Sequence, residues 1–159
     1  MQIKELSVDI ETYCDVDLRK TGVYRYAEDE SFEILLLAVS INNAPVIVYD
    51  LTKNKLPNVI LQALLDDTVI KWAFNATFER ICLSNWIKKY YPTLLTENFL
   101  SPNSWRCSMI WSAYLGLPLS LEGVGTILKL SEQKLKVGSE LIRYFCLPCK
   151  PTKINGGRT

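Results

Sequence analysis

Nine consecutive residues, EILLLAVSI at 33–41, restrict the fold of this chain more than any other stretch. The run has the length of a strand and is apolar on both of its side-chain faces. Such a segment fits the interior of a sheet better than its rim. Asn42–Asn43 follows it as a turn signal, and PVIVYDL at 45–51 reads as the next strand, so the two form a hairpin. Upstream, residues 5–11 alternate loosely through Leu6, Val8 and Ile10. They read as a further strand, with Asp9 and Glu11 on its other face. Three hairpin-connected strands therefore open the chain.

The remainder changes period. PNVILQALLDD begins with Pro57 in a first helical turn and presents Leu61, Leu64 and Leu65. VIKWAF at 69–74 reads as a short buried strand. Asn75 stands where a side-chain cap would start the helix ATFERICLSNWIKKYY, which Pro92 stops. After a loop at 93–104, helices are expected at 105–115, after the capping Ser120, and at about 133–145. Residues 12–32 carry Tyr13, Tyr24, Tyr26 and Phe32 but fit neither period, and read as a long excursion. The order β-β-β-α-β-α-α-α predicts an α/β domain with a mixed sheet, a three-stranded meander followed by helix-strand-helix. A chain of 159 residues holds one such domain, and no internal repeat or linker interrupts it before residue 146.

Composition limits the chemistry. The chain has no histidine, which excludes Ser/His/Asp and Cys/His catalysis and most catalytic zinc sites. Carboxylates and water remain for polar chemistry. Cys14, Cys82, Cys107, Cys146 and Cys149 are an odd set with no secretory signal before them, so reduced thiols in a cytosolic protein are expected. No apolar run approaches the roughly 20 residues of a membrane span. The formal charge is +1, so any affinity for nucleic acid must come from a local patch or a metal site.

Asp9 and Glu11, two apart on a strand, share a face, and paired oxygen donors suit Mg²⁺ or Mn²⁺. A single Asp-x-Glu pair is close to what chance order gives in a chain with this many acids. Glu79 adds weight. It lies one turn into the helix that follows the buried strand, in the phrase KWAFNATFER at 71–80. A solvated helix face accounts for Glu79 taken alone; its position after that order of elements does not follow from that account.

The stretches SVDIET at 7–12, TGVYRYAEDESFEILLLAVS at 21–40, KWAFNATFER at 71–80, WRCSMIWSAYLGLPLSLEGVG at 105–125 and LIRYFCLPCKPTKINGGRT at 141–159 cover almost the whole chain. Together they resemble the DEDD group of 3′–5′ exonuclease domains, which have a ribonuclease-H-like three-layer fold. The closer resemblance is to the N-terminal exonuclease domain of phage-type family A DNA polymerases. What the resemblance implies is two-metal hydrolysis of the 3′-terminal phosphodiester of single-stranded DNA, proofreading for a polymerase domain in cis, in the host cytosol and away from any membrane. Asp9 and Glu11 match the metal-ligating acids of the family's first motif, and Glu79 the acid of its second, where aspartate is usual. Two Mg²⁺ or Mn²⁺ ions are expected in the complete domain.

The family's third motif, Tyr or His followed closely by Asp, has no match. The last aspartate is Asp67, and the acids after Glu79 are Glu97, Glu122, Glu132 and Glu140, none in that frame. Residues 1–145 are therefore expected to form an exonuclease-like domain truncated at its C-terminal side, with 146–159 a tail or linker toward further chain. Weak cation affinity and little or no activity are expected of residues 1–159 alone. The alternatives are a catalytically inactive module that binds DNA or braces a polymerase, and an exoribonuclease of the same fold.

Other residues are candidates beside a plainer reading. Tyr13, Tyr24, Tyr26, Phe78 and Trp105 offer rings for base stacking, with core packing as the default for each. Thr12 and Asn75 adjoin the two acidic motifs. Arg19, Lys20 and Arg25, and in the tail Lys150, Lys153 and Arg158, offer cations for phosphates or only a solvated surface. Cys146-x-x-Cys149 has no partner pair and no histidine, so packing as small apolar side chains outweighs a zinc half-site.

Overall fold

The computed structural model describes residues 2–131 and 137–154. Its frame is a five-stranded mixed sheet in the order β3-β2-β1-β4-β5. The strands are β1 (Glu5–Tyr13), β2 (Glu33–Ile41), β3 (Ile47–Asp50), β4 (Ile70–Ala73) and β5 (Trp105–Cys107). β2 lies antiparallel to both β1 and β3, the latter across a tight hairpin turn. β4 runs parallel to β1, and β5 parallel to β4, after helical crossovers. The apolar run at 33–41 is thus an inner strand, paired along both edges.

The expected hairpin turn is present. Asn42 and Asn43 both take positive φ, 49° and 61°, which matches the twist of the strands they join. The Asn42 side chain also ties the turn to β1. Its Oδ1 accepts from the amides of Lys4 (2.8 Å) and Glu5 (3.1 Å).

One face of the sheet is dry. Leu6, Val8 and Ile10 of β1 and Ile34, Leu37 and Val39 of β2 are buried there. Against them pack α2 (Asn58–Leu65) and α3 (Ala76–Tyr90), which contribute Ile60, Leu64, Ile81, Leu83 and Ile87. The opposite face carries Ser7, Asp9 and Trp72, and α4 (Ser108–Tyr114) lies over it, with Trp111 edge-on to Trp72 at 5.2 Å. Helices on both faces give the expected three layers. The second layer is thin: after Trp105, only Ser112, Val124 and Gly125 are buried among the described residues. α5 (Leu121–Ile127) and α6 (Gly138–Phe145) complete the elements. Among the described residues no helix is long and apolar enough to cross a membrane.

Ile81 has no exposed surface and touches the sheet core, so Ile81→Ala should lower unfolding free energy by about 3 kcal/mol through lost burial and a residual cavity. Val46→Ala, at a side chain 64% exposed, should fall within about 0.5 kcal/mol of wild type. Urea midpoints compared for the two variants check this contrast; equal losses would place Ile81 outside the cooperative core.

Three expectations are corrected, and for two rings the default of core packing holds. The excursion at 12–32 contains a helix, α1 (Leu18–Glu28), capped by Asp17. Its period is hidden because Gly22, at φ 75° and ψ 165°, breaks it into two short turns. The helix expected at 105–115 begins only at Ser108, because residues 105–107 pair with β4 as a fifth strand. A three-residue strand has no readable period, and only the partner strand decides it. Asn75 does not cap with its side chain; it turns the chain in the left-handed region, at φ 78° and ψ 50°. Trp105 is 8% exposed and belongs to the core, so its ring offers no face to a base. Tyr26 is likewise buried. Of the helix expected at 133–145, residues 133–136 lie outside the described residues, as do Glu132 and Arg158.

Lys71 anchors the new strand. Wholly buried on β4, its ammonium donates to the Asp66 carbonyl and to Ser104 Oγ at 3.1 Å, just before β5 begins. Burial holds its pKa below the ordinary lysine value, with the charges of Asp67 and Asp66 opposing that shift.

Candidate metal and nucleic-acid site

Parallel pairing decides where the acids meet. β1 and β4 end at the same edge of the sheet, so the carboxyl end of β1 lies beside the turn that leads from β4 into α3. In open α/β sheets that edge is where ligands gather. Asp9 and Glu11 sit there on the face of β1 opposite to Val8 and Ile10, as the period-two pattern requires. The left-handed Asn75 turns the chain within one residue, so α3 begins at Ala76 and brings Glu79 back in its first turn. Asparagine accepts that backbone region more readily than most residues.

Glu79 is 4% exposed, and its Oε2 has no hydrogen-bond partner among the described residues. Burial pushes its pKa from the ordinary 4.5 up to about 8, and the negative charge of Asp9 adds to the shift. At neutral pH the side chain therefore holds a proton. An orphaned, buried carboxyl oxygen beside a second carboxylate is the situation a divalent cation relieves, since it supplies the missing counter-charge and an oxygen-seeking partner. The donor chemistry of Asp9, Glu11 and Glu79 thus fits Mg²⁺ or Mn²⁺. Among the described residues, no three His, Cys, Asp or Glu side chains stand close enough together to form a metal-holding group.

Glu11 faces a different neighbour. The Cys146 thiol, just past α6, donates to Glu11 Oε2 at 3.7 Å. Burial first, and then the Glu11 charge, push that thiol up to about 11, so it stays a neutral donor. Beside this contact opens a groove of about 520 Å³, lined by Glu11, Thr12, Phe78 and Tyr26 and by Arg19 and Arg143. Thr12 Oγ1 and the Tyr26 hydroxyl are hydrogen-bonded at 2.9 Å on its floor. Asp9 lines an adjacent hollow of about 570 Å³ with Ser7, Trp72 and Leu121.

Of the expected site residues, Glu11, Thr12 and Phe78 therefore share one groove, while Asp9 is linked to Glu79 only through space, its negative charge helping to raise the Glu79 pKa. Tyr13 is half-buried, and its hydroxyl donates to Asp15 at 2.7 Å, a bond that raises its pKa. Asn75 is exposed, and Trp105 lies in the core. Sequence reading missed Cys146 as a neighbour of Glu11 and Arg143 as a lining residue. Both lie more than 130 positions from Glu11 with no periodic signal linking them, so only tertiary packing reveals them.

No family model matches the chain. It is 48% identical over 157 residues to a DNA polymerase of Bacillus phage SP02, a match that takes in 98% of this chain and 23% of that protein. The chain thus spans about a quarter of the length of the curated relative it matches. Among solved structures it is similar to Brucella melitensis NrnC, with a TM-score of 0.57 and 15% identity, over 85% of this chain and 56% of that one. NrnC is also known with bound Mg²⁺ and bound to pGG. Escherichia coli RNase D, an exoribonuclease involved in structured RNA processing, aligns with a TM-score of 0.50 and 13% identity, over 87% of this chain and 30% of that one. The fold is ribonuclease-H-like, as in these structures, and the expected fold class is borne out.

Proposed function

We propose that the chain is the 3′–5′ exonuclease domain of a phage-type DNA polymerase, acting on the 3′ end of single-stranded DNA in the cytosol of a bacterial host. The observation that carries this reading is Glu79, a buried carboxyl with an orphaned oxygen beside Asp9 at the carboxyl edge of the sheet. Similarity to a phage DNA polymerase supports DNA over RNA as the substrate and a polymerase domain in cis as the partner.

Asp9, Glu11 and Glu79 are the residues that would hold the cations. The chemistry two such ions supply when bound is an acidified water and charge neutralisation on the phosphodiester oxygens. Glu79 would have to give up its proton before it could ligate, and Glu11, whose Oε2 accepts from the Cys146 thiol, would offer a cation its remaining lone pairs. Thr12 and Phe78 flank the groove next to Glu11, where a terminal sugar and base would lie. The resemblance implies one further carboxylate, from the family's third motif, and that group is proposed to come from chain beyond these residues. On this reading residues 1–145 form the domain and 146–159 serve as a tail or linker, although Cys146 and Leu147 still line the groove.

The test uses single-stranded DNA labelled at its 5′ end, with Mg²⁺ or Mn²⁺ and the polypeptide that includes the further carboxylate. The expected products are a ladder shortened one nucleotide at a time and free nucleoside monophosphates. Internal cuts would point to an endonuclease. Preferential digestion of a matched RNA would move the reading to an exoribonuclease. Binding without cleavage would leave an inactive DNA-binding module.

A further inference from the structure

The groove beside Glu11 holds four charged side chains, and they are not equally occupied. Asp17 caps α1 by accepting from the Arg19 amide at 2.9 Å, and its other oxygen faces Lys20 at 3.8 Å. Glu11 accepts from Cys146. The guanidinium groups of Arg19 and Arg143 are exposed, and among the described residues neither makes an ion pair or a side-chain hydrogen bond. One comes from α1 and the other from α6, so two distant segments deliver uncommitted cations to a single groove. Between them the lining is aromatic and aliphatic, through Phe78, Tyr26 and Leu18. Cations that flank an apolar, aromatic slot match a ligand with anionic links between flat rings, which is the chemistry of a single-stranded nucleic acid. Guanidinium in particular suits phosphate because its donors form a planar fork.

We propose that Arg143 of α6 and Arg19 of α1 grip the phosphodiester backbone of a single strand that enters the groove beside Glu11. The inference rests on the exonuclease reading and deepens it, assigning strand binding to a helix that carries none of the acids. α6 then has two roles at the site: Cys146 at its end meets Glu11, and Arg143, one turn earlier, meets the incoming strand. The two arginines are strand-binding residues and take no part in the chemical step.

The experiment measures anisotropy of a short 5′-fluorescein oligothymidylate over a salt series, with Ca²⁺ replacing the catalytic cations. Arg143→Ala and Arg19→Ala should each weaken binding about fivefold and flatten the log K against log salt slope by about one counter-ion. Arg143→Lys should recover the slope, since it restores the charge, and only part of the affinity, since it lacks the fork. Lys53→Ala removes a cation paired with Asp50 away from the groove and should change neither quantity. Thermal melting checks that the variants fold; both arginines are exposed, so unchanged melting is expected. If wild type binds and the two arginine variants keep its affinity and slope, the grip is wrong while the exonuclease reading stands. If wild type shows no binding at any salt concentration, both fall together.

Discussion

Asp9→Ala is expected to lower nucleotide release from single-stranded DNA by about 10³-fold or more, in the polypeptide that completes the two-ion site. The estimate follows from removing a carboxylate that holds positive charge at the reacting phosphodiester, a loss on the order of 4 kcal/mol in transition-state stabilisation. Asp9 is an exposed side chain on the face of β1 opposite to Val8 and Ile10 and pairs through its backbone with Ala38, so the substitution should leave melting nearly unchanged. Rates measured under Mn²⁺ saturation separate a lost ligand from weakened affinity. A variant that retains even a tenth of wild-type rate would remove Asp9 from the site. Residues 1–159 alone should show little release, because three carboxylates hold two cations poorly. A Mn²⁺-dependent rate in that fragment, abolished by Asp9→Ala, would overturn this expectation.

The second large effect is on stability and concerns Glu79. Its folded pKa, about 8, lies above the ordinary 4.5. Below about 4.5 the folded and unfolded chains both carry the proton. Between about 4.5 and 8 the unfolded chain releases it and the folded chain retains it, so folding binds a proton and stability falls as pH rises. Above about 8 the full cost of an ionised, buried carboxylate remains, on the order of 4 kcal/mol. Glu79→Gln keeps the shape and removes the titration. Wild type should therefore lose on the order of 10 °C in melting temperature between pH 5 and pH 9 relative to the variant. Parallel melting curves for the two proteins would show that Glu79 is not desolvated as described. Mn²⁺ should replace the proton, so its binding should release about one proton below pH 8 and tighten with rising pH. Calorimetry in buffers of different ionisation enthalpy reads that proton directly.

Much of this site is legible in the sequence. The alternation Leu6, Val8, Ile10 placed Asp9 and Glu11 on one face, because side-chain direction in a strand is a local property. The Asn42–Asn43 turn was legible for the same kind of reason, since asparagine tolerates the positive φ that a tight hairpin needs. The position of Glu79 one turn into a helix followed from the phrase around it. Its burial did not, because nothing in FNATFER distinguishes a solvated first turn from one pressed against the end of a sheet.

The misreadings share a cause. β5 has three residues and exists because Lys71, Trp72 and Ala73 offer it a ladder; its own sequence reads equally well as the start of a helix. α1 lacks a readable period because Gly22 interrupts it. Trp105 offered a ring for stacking beside a core-packing default, and pairing with β4 puts it in the core.

The sequence by itself determined the order of the strands and helices other than α1 and β5, the faces on which the acids lie and, through the absence of histidine, a chemistry resting on carboxylates, water and cations. Those are consequences of backbone period and side-chain type, which act over a few residues. Only the tertiary structure decided that Glu79 would be protonated beside Asp9, that Cys146 would meet Glu11, and that Arg19 and Arg143 would line one groove. Each of these depends on desolvation or on contact between segments far apart in the chain, and such terms exist only once the layers have packed.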